Sequence, residues 1–345
     1  MVVGVGEKTK VGLLFGGPSP EHKISIESAR MIFYSLKTDH NREKYDVYPF
    51  YISEAGYFNQ FNQMRYASPG IPPEKNATQR MIPPALFQMN LIFPVMHGKF
   101  GEDATIQGFL SALQLDYVGS GVLASALSMD KMSMKALLAS RGFPIPRFKA
   151  ILRGESPNWK TIVDSLQFPL FIKPANSGSS IGVTKVKDIS GLEPAYTEAL
   201  KWMDRVIVEE GVPCRELECG VLGDTDPMVS PVGEVAYGGE FYDYATKYGT
   251  GNAGSRLIIP ADIPGEVIRK VQQMSLEIFK LFHARDMARI DFFYVERTGE
   301  LLVNEINTVP GFTKSSMYPK LWEKAGILNW DLSDRLIRLA LNRKK

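Results

Sequence analysis

Over its first third the chain alternates short apolar runs with amphipathic stretches. Val11 to Phe15 (VGLLF) is unbroken apolar, the pattern of a strand buried on both faces. It stops at Gly16-Gly17-Pro18-Ser19-Pro20-Glu21. Ile26, Ala29, Ile32, Phe33 and Leu36 then recur at helical spacing, with Ser25 as a candidate N-cap. Tyr45 to Ile52 and Leu91 to Met96 read as further strands, and Ile106, Phe109, Leu110 and Leu113 as one helix face. The polar, Pro- and Gly-bearing residues 53–83 read as a long irregular connection. Strands and helices in alternation predict a small doubly wound α/β domain.

Beyond it the pattern changes. A helix ends at Gly142, and Gly142-Phe143-Pro144-Ile145-Pro146 is a breaker at a domain junction. Pro169 to Pro174 is a strand holding one lysine, Lys173, followed by the small residues 175–183, ANSGSSIGV. Val206 to Glu210 is a strand ending in two acids. From Arg215 to Leu222 the chain alternates, with Leu217, Cys219 and Val221 on one face and Glu216 and Glu218 on the other. Val267, Val271, Met274 and Ile278 mark an amphipathic helix, and Leu332, Leu336 and Leu339 the inner face of a last one.

Between those helices, two apolar runs flank Arg297-Thr298-Gly299, a hairpin with Gly at the left-handed position of a three-residue turn. If Glu296 faces Glu300, then Asp291 pairs with Glu305 and Arg289 with Asn307. All four share one face, while Ile290, Phe292 and Ile306 take the other. Two carboxylates and an amide oxygen form the hard oxygen set that Mg²⁺ takes beside phosphates, and Arg289 adds an anion clamp. A hairpin with one solvated face carries the same pattern.

At 345 residues the chain has room for roughly two to three domains. With 44% hydrophobic and 23% charged residues it has ample core, and a net charge of +2 gives no field for bulk nucleic-acid or membrane binding. Cys214 and Cys219 lie an odd step apart on a strand, on opposite faces, so a disulfide or two-thiolate metal site is not expected; Cys219 reads as core. MVVGVGEKTK is too short and polar for a signal peptide, and no apolar run approaches ~18 residues, so a cytoplasmic protein is expected.

Glu21 and His97 each follow a strand's carboxyl end, where open α/β sheets bind ligands. A first-turn glutamate complementing a helix dipole and a structural histidine are the alternative readings of those positions. Lys173, in an apolar strand, costs desolvation unless it meets an anion, and the Ser/Gly loop after it can lay N–H groups over phosphate. A snorkelling lysine beside a hairpin tip is the alternative. Neither a G-x-G-x-x-G turn nor a Walker loop is present. The Tyr- and Lys-bearing residues 240–248 and the Gly-rich segment after them read as a closing loop, about 240–258. Pro310-Gly311-Phe312-Thr313 leads to Ser315-Ser316 at a helix start, where N–H groups face an anion.

The order of these features resembles the ATP-grasp superfamily. More closely, GGPSPEHKIS, HGKFGEDATIQG, YVGSGVLASALSMDK, IKPANSGSSIG, EFYDYATKY, ARIDFF and NEINTVPGFTKSSMYPKLW resemble the D-alanine–D-alanine ligase family over nearly the whole chain. The resemblance implies α/β and α+β architecture: a small doubly wound α/β domain (1–122), then a central (123–212) and a C-terminal (213–345) ATP-grasp lobe. It implies ATP contacts at Lys131, Lys173, Ser180, Glu209, Glu210, Val212, Glu216 (ribose) and Lys247 (γ-phosphate). It implies two Mg²⁺ or Mn²⁺ at Asp291, Glu305 and Asn307. Glu21 would hold the ammonium of the first of two D-alanines, near His97, in a hydrogen-bonded set with Ser179 and Tyr248. Arg289 and the Gly311 N–H would meet the oxyanion, and Ser316 the second D-alanine's carboxylate.

The implied reaction is ATP-dependent ligation to D-alanyl-D-alanine through a D-alanyl phosphate, for peptidoglycan precursors, by a cytoplasmic homodimer with no nucleic-acid or membrane partner. Tyr248 or the phosphate would take the amine's proton. Tyr248 favours D-alanine as second substrate, with D-serine and D-lactate as alternatives, although the Gly-rich GTGNAGSRLIIPAD is unusual for the lid. Another ATP-grasp ligase or carboxylase would lack the Glu21 and His97 motifs. A non-enzymatic ATP-binding regulator would have lost some of Asp291, Glu305 and Asn307, and none is lost.

Overall fold

The computed structural model describes residues 7–60, 81–237 and 255–343. Its first sheet contains β1 (Thr9–Gly16), β2 (Tyr45–Ile52), β3 (Phe58–Gln60) and β4 (Leu91–Pro94). The order is β3-β2-β1-β4, with β2 and β4 parallel to β1 and β3 antiparallel at the edge. β3 lies in the segment expected to be irregular. The apolar stripe of α1 (His22–Leu36) is buried as the periodicity predicts. Ser25 is not its N-cap, because the helix begins at His22 with Glu21 at the cap position. The buried Ser25 Oγ instead accepts from Gly16 N (2.8 Å) and donates to Val95 O (2.5 Å), tying the helix to the ends of β1 and β4.

After α2 (Thr105–Ala112) the chain forms α3 (Val122–Met129), which the pattern did not announce, and α4 (Lys131–Ser140). Asp130 separates them in extended conformation and caps α4 by accepting from Ser133 N at 2.8 Å. Next come β5 (Phe148–Ile151), α5 (Trp159–Ser165), β6 (Leu170–Pro174), β7 (Thr184–Val186), α6 (Leu192–Leu200) and β8 (Val206–Glu210). Their strands make an antiparallel sheet ordered β5-β8-β6-β7, with its own apolar core.

The third sheet holds β9 (Arg215–Gly223), β10 (Met228–Tyr237), β11 (Ser255–Ile258), β12 (Asp286–Val295) and β13 (Glu300–Asn307). It is antiparallel throughout, in the order β11-β10-β9-β12-β13. The buried stripe of α7 (Gly265–Leu281) shares a core with this sheet and with Met134 and Leu138 of α4. Two helices close the chain, α8 (Met317–Lys324) and α9 (Asn329–Leu341). Leu332 and Leu336 of α9 complete the core of the first sheet together with Phe33 and Leu36. Asp334, accepting from Lys44 Nζ and Tyr45 OH at 2.9 Å each, fixes that contact. The segment after β13 is thereby brought beside the loops that follow β1 and β4.

The hairpin of β12 and β13 departs from expectation at its turn. Val295, not Glu296, pairs with Glu300, and Gly299 takes φ 71° in a four-residue connection. A bulge between the Asp291 and Phe292 pairings then restores the expected register, Asp291 opposite Glu305 and Arg289 opposite Asn307. Both cysteines are free; burial raises Cys214 to about 12 and Cys219 to about 11. Among the described residues no helix is long and apolar enough to cross a membrane.

Candidate active site

A cleft of about 460 Å³ opens where the three sheets meet. Glu21 enters from the β1–α1 turn and is 5% exposed; it accepts a hydrogen bond from Ser179 in the loop between β6 and β7. Ser179 and Ser180 hold φ of 50° and 59°, a left-handed conformation that non-glycine residues seldom adopt and that recurs at functional loops. Gly98 is needed beside them, since a Cβ there would sit 2.4 Å from Glu21 Oε2. α4 anchors the loop from the other side, through Lys131 N to Ala175 O (2.8 Å) and Lys131 Nζ to Ser177 O.

His97 is nearly fully buried, and both ring nitrogens are engaged by protein. Nδ1 donates to Val309 O (3.1 Å), so in the neutral ring Nε2 accepts from Ser28 Oγ (3.0 Å). Ser28 Oγ in turn accepts from Phe312 N at 3.1 Å. Glu102 Oε1 lies 3.7 Å from Nδ1 and accepts from Gly98 N at 2.8 Å. His97 therefore fastens the segment bearing Gly311 to α1. Ser28 was missed by sequence reasoning, being a small polar position on a helix.

On the hairpin face, Arg289 donates Nε to Asp291 Oδ1 (2.7 Å) and Nη2 to Asp291 Oδ2 (2.6 Å), and pairs with Glu218 Oε2 at 2.9 Å. Burial pulls the guanidinium pKa down, but Asp291 and Glu218 outweigh it and hold it well above its ordinary value. Glu305 and Asn307 line the cleft, and Asn307 Oδ1 accepts from Val309 N at 3.0 Å. The alternation places Glu218 with Glu216 on the polar face of the strand and assigns it no role. Its 9% exposure and its place opposite Asp291 on β9 make it part of the site. Ser316 sits at the N-cap position just before α8, and its Oγ accepts from Thr313 N at 3.0 Å beside Gly311; Ser316 and Gly311 both line the cleft.

A second charged cluster lies outside the lining of that cleft. Lys173 Nζ is 2.5 Å from Glu209 Oε1, and Lys135 Nζ is 2.6 Å from Glu209 Oε2. Burial pushes Glu209 up, but the two lysines outweigh it and bring it down to about 2. Burial lowers both Lys131 and Lys135 from the ordinary lysine value. Lys135 was not anticipated; its one signal was a second lysine four residues after Lys131, on the same helix face. Glu210 turns the other way on β8, accepting from Gln167 N (2.6 Å) and Arg147 Nη1 (3.5 Å). Val212 is half-buried between β8 and β9, and Glu216 sits opposite Phe293 and Val235 in the third sheet. Lys247, Tyr248 and most of the expected closing loop lie outside the described residues.

Comparison with known proteins agrees with this architecture. Residues 10–120 match the family model of the D-ala D-ala ligase N-terminus and residues 137–338 that of the D-ala D-ala ligase C-terminus. A D-alanine–D-alanine ligase of Thermoanaerobacter sp. is 39% identical over 353 residues, 97% of each chain. The solved D-alanine-D-alanine ligase from Coxiella burnetii superposes with a TM-score of 0.82 at 31% identity, over 98% of this chain and 95% of that one. The VanG D-Ala:D-Ser ligase from Enterococcus faecalis gives 0.81 at 32% identity, over 97% and 100%. The α/β domain followed by two antiparallel lobes is the ATP-grasp arrangement with its preceding domain. With both family models matched and the identity sustained from end to end, the chain belongs to the D-alanine–D-alanine ligase family.

Proposed function

We propose that this protein joins two D-alanines into D-alanyl-D-alanine at the expense of ATP, supplying a peptidoglycan precursor. One observation carries the reading: the Glu21–Ser179 pair faces the Arg289, Glu305 and Asn307 side chains across a single cleft. A carboxylate held for an ammonium thus stands opposite an arginine suited to an oxyanion and oxygen donors suited to a hard cation.

In this reading Glu21 binds the first D-alanine's ammonium and turns its carboxylate toward the hairpin. That carboxylate takes the γ-phosphoryl group of ATP, giving a D-alanyl phosphate and ADP. Lys131 and Lys173, with Ser180, Glu209, Glu210, Val212, Glu216 and Lys247, hold the nucleotide. The second D-alanine, its carboxylate on Ser316, attacks the acyl carbon through its amine. Arg289 and the Gly311 N–H receive the tetrahedral oxyanion, each donor contributing on the order of 3 kcal/mol. As the oxyanion collapses the acyl C–O bond breaks, its electron pair leaves with phosphate, and the amine proton passes to Tyr248 or to the departing phosphate.

The hairpin's donor set fits a hard divalent cation. Asp291 and Glu305 are register partners, and Asn307 Oδ1 keeps a lone pair beyond its bond to Val309 N. Two Mg²⁺ or Mn²⁺ held by Asp291, Glu305 and Asn307 would spread the transferring phosphoryl charge. We further propose a homodimer in the cytoplasm, which sedimentation of the purified protein tests.

The deciding assay is phosphate release from ATP with D-alanine, D-serine, D-lactate or L-alanine as the sole added substrate, with products identified by mass. Release with D-alanine and recovery of the dipeptide are expected. Release with none of the four would sink the ligase reading. D-alanine together with D-serine tests the alternative second substrate, which similarity to a D-Ala:D-Ser ligase keeps open.

A further inference from the structure

Lys135 is 1% exposed, in the interior of α4, with its ammonium 5.7 Å from the centre of the Phe148 ring. It does not line the cleft. Burying a lysine is costly, so its partner matters. That partner is Glu209 Oε2, an ion-pair contact at 2.6 Å, and among the described residues no side chain or backbone group supplies either atom with a hydrogen bond of regular geometry. The second oxygen of Glu209 holds Lys173 Nζ at 2.5 Å. The three groups form a line from the helix interior to the sheet, Lys135–Glu209–Lys173. Two cations share one carboxylate, and only Lys173, whose side chain is 13% exposed, has an outward path.

The geometry points to Lys135 as a positioning residue for nucleotide binding, acting through Glu209 to let Lys173 exchange that carboxylate for a phosphate. The inference rests on the ATP reading of the site. When Lys173 turns to an incoming phosphate, Glu209 would be left as a buried, unpaired carboxylate if Lys173 were its sole counter-ion. That outcome would hold Lys173 on Glu209 and oppose nucleotide binding. With Lys135 on its other oxygen, Glu209 keeps a counter-charge throughout. The arrangement also carries one cation in excess before nucleotide arrives, which suits a polyanionic ligand.

The test is a double-mutant cycle of Lys135→Met and Glu209→Gln, read as the KM for ATP and the KM for D-alanine in steady-state turnover of the full-length protein. In the Glu209 background, Lys135→Met is expected to raise the KM for ATP about tenfold or more while the KM for D-alanine stays within about twofold. In the Glu209→Gln background the same substitution is expected to change the KM for ATP by less than about threefold, because the group it acts through is neutral. Should the single variant fail to fold, the comparison of Glu209→Gln with the double variant stands alone, since the double variant leaves no unpaired carboxylate inside. Equal effects in both backgrounds, an unchanged KM for ATP in Lys135→Met, or a tenfold further rise in the double variant would overturn the inference. Absence of ATP-dependent turnover in the unmodified protein would overturn the ligase reading instead.

Discussion

Replacing Ser28 by alanine tests whether the His97 network holds the proposed oxyanion donor in place. The hydroxyl is fully buried, donates to His97 Nε2 at 3.0 Å and accepts from Phe312 N at 3.1 Å. No bulk water can replace it, so its loss orphans a backbone N–H and a ring nitrogen, at about 1–3 kcal/mol each. A loss of about 2–6 kcal/mol of stability follows, a downward shift of several degrees in Tm. The Phe312 ring keeps its packing against Phe93 (centroids 6.4 Å apart) and Tyr318 (5.9 Å), so the segment shifts rather than detaches. Its neighbour Gly311 moves with it. Complete loss of an oxyanion donor costs about 10²–10³ in rate, so partial displacement should lower kcat roughly 10- to 100-fold. The KM for ATP should hold within about twofold, because Lys131, Lys173 and Glu209 make no contact with this network. Steady-state phosphate release at saturating D-alanine, below the variant's own melting temperature, measures both. A variant that loses stability but keeps kcat within twofold, or that raises the KM for ATP with kcat intact, would refute the reasoning.

Asp291→Asn leaves Arg289 paired to Glu218 at 2.9 Å, so stability should fall by only about 1–3 kcal/mol while turnover falls more than about a hundredfold, as thermal melts and phosphate release will show. An unfolded variant would favour a structural role for the hairpin face. Glu218→Gln removes the group that draws Arg289 away from Asp291; the Mg²⁺ concentration for half-maximal activity should rise about three- to tenfold, with the Tm in chelator lower by a few degrees. Glu209 sits at about 2 against an ordinary 4.5, so its contribution to stability is fully present above about pH 4.5 and is lost as pH falls toward 2. The contribution is at most about 3 kcal/mol, and denaturation midpoints at about pH 5 and about pH 3 should fall more steeply for the unmodified protein than for the Lys135→Met/Glu209→Gln variant.

What could be read from the sequence was whatever local periodicity encodes. The helix stripes of Ile26–Leu36 and Val267–Ile278 and the apolar faces of β9 and β12 all concern neighbours within a few residues, and each is buried as the spacing predicts; Glu218 and Asp291, on the polar faces of those two strands, are buried too, which the alternation does not foretell. The hairpin is more instructive. Counting back from the turn gave the correct pairing of Asp291 with Glu305, yet Val295 rather than Glu296 meets Glu300, and the bulge before Phe292 cancels that shift. An alternating pattern does not reveal a bulge, because the extra residue restores the face it disturbs. The unread residues, Ser28, Lys135 and Glu218, act through partners distant in sequence. Lys135 looks like any helix lysine until Glu209 arrives from another sheet. Ser28 gains meaning from His97, 69 positions away, and from Phe312, 284 away. Tertiary pairing of this kind has no local signature.

Both charged clusters have the same construction, which explains how a buried site can stay paired without being blocked. Asp291 is held by Arg289, and Glu218 is a second anion for that arginine. Lys173 is held by Glu209, and Lys135 is a second cation for that carboxylate. In each case the group expected to meet a ligand shares its partner with a second buried ion that stays behind. Breaking a simple buried pair costs several kcal/mol because one charge is stranded. Here the stranded charge keeps a companion, so the cost of releasing Asp291 to a cation, or Lys173 to a phosphate, is reduced to that of rearranging a triad. A site made of isolated pairs would bind its ligands weakly, and one with unpaired ions would strain the fold before they arrive. The triads avoid both, and they do so with Glu218 and Lys135, neither of which carries a local signature of that role.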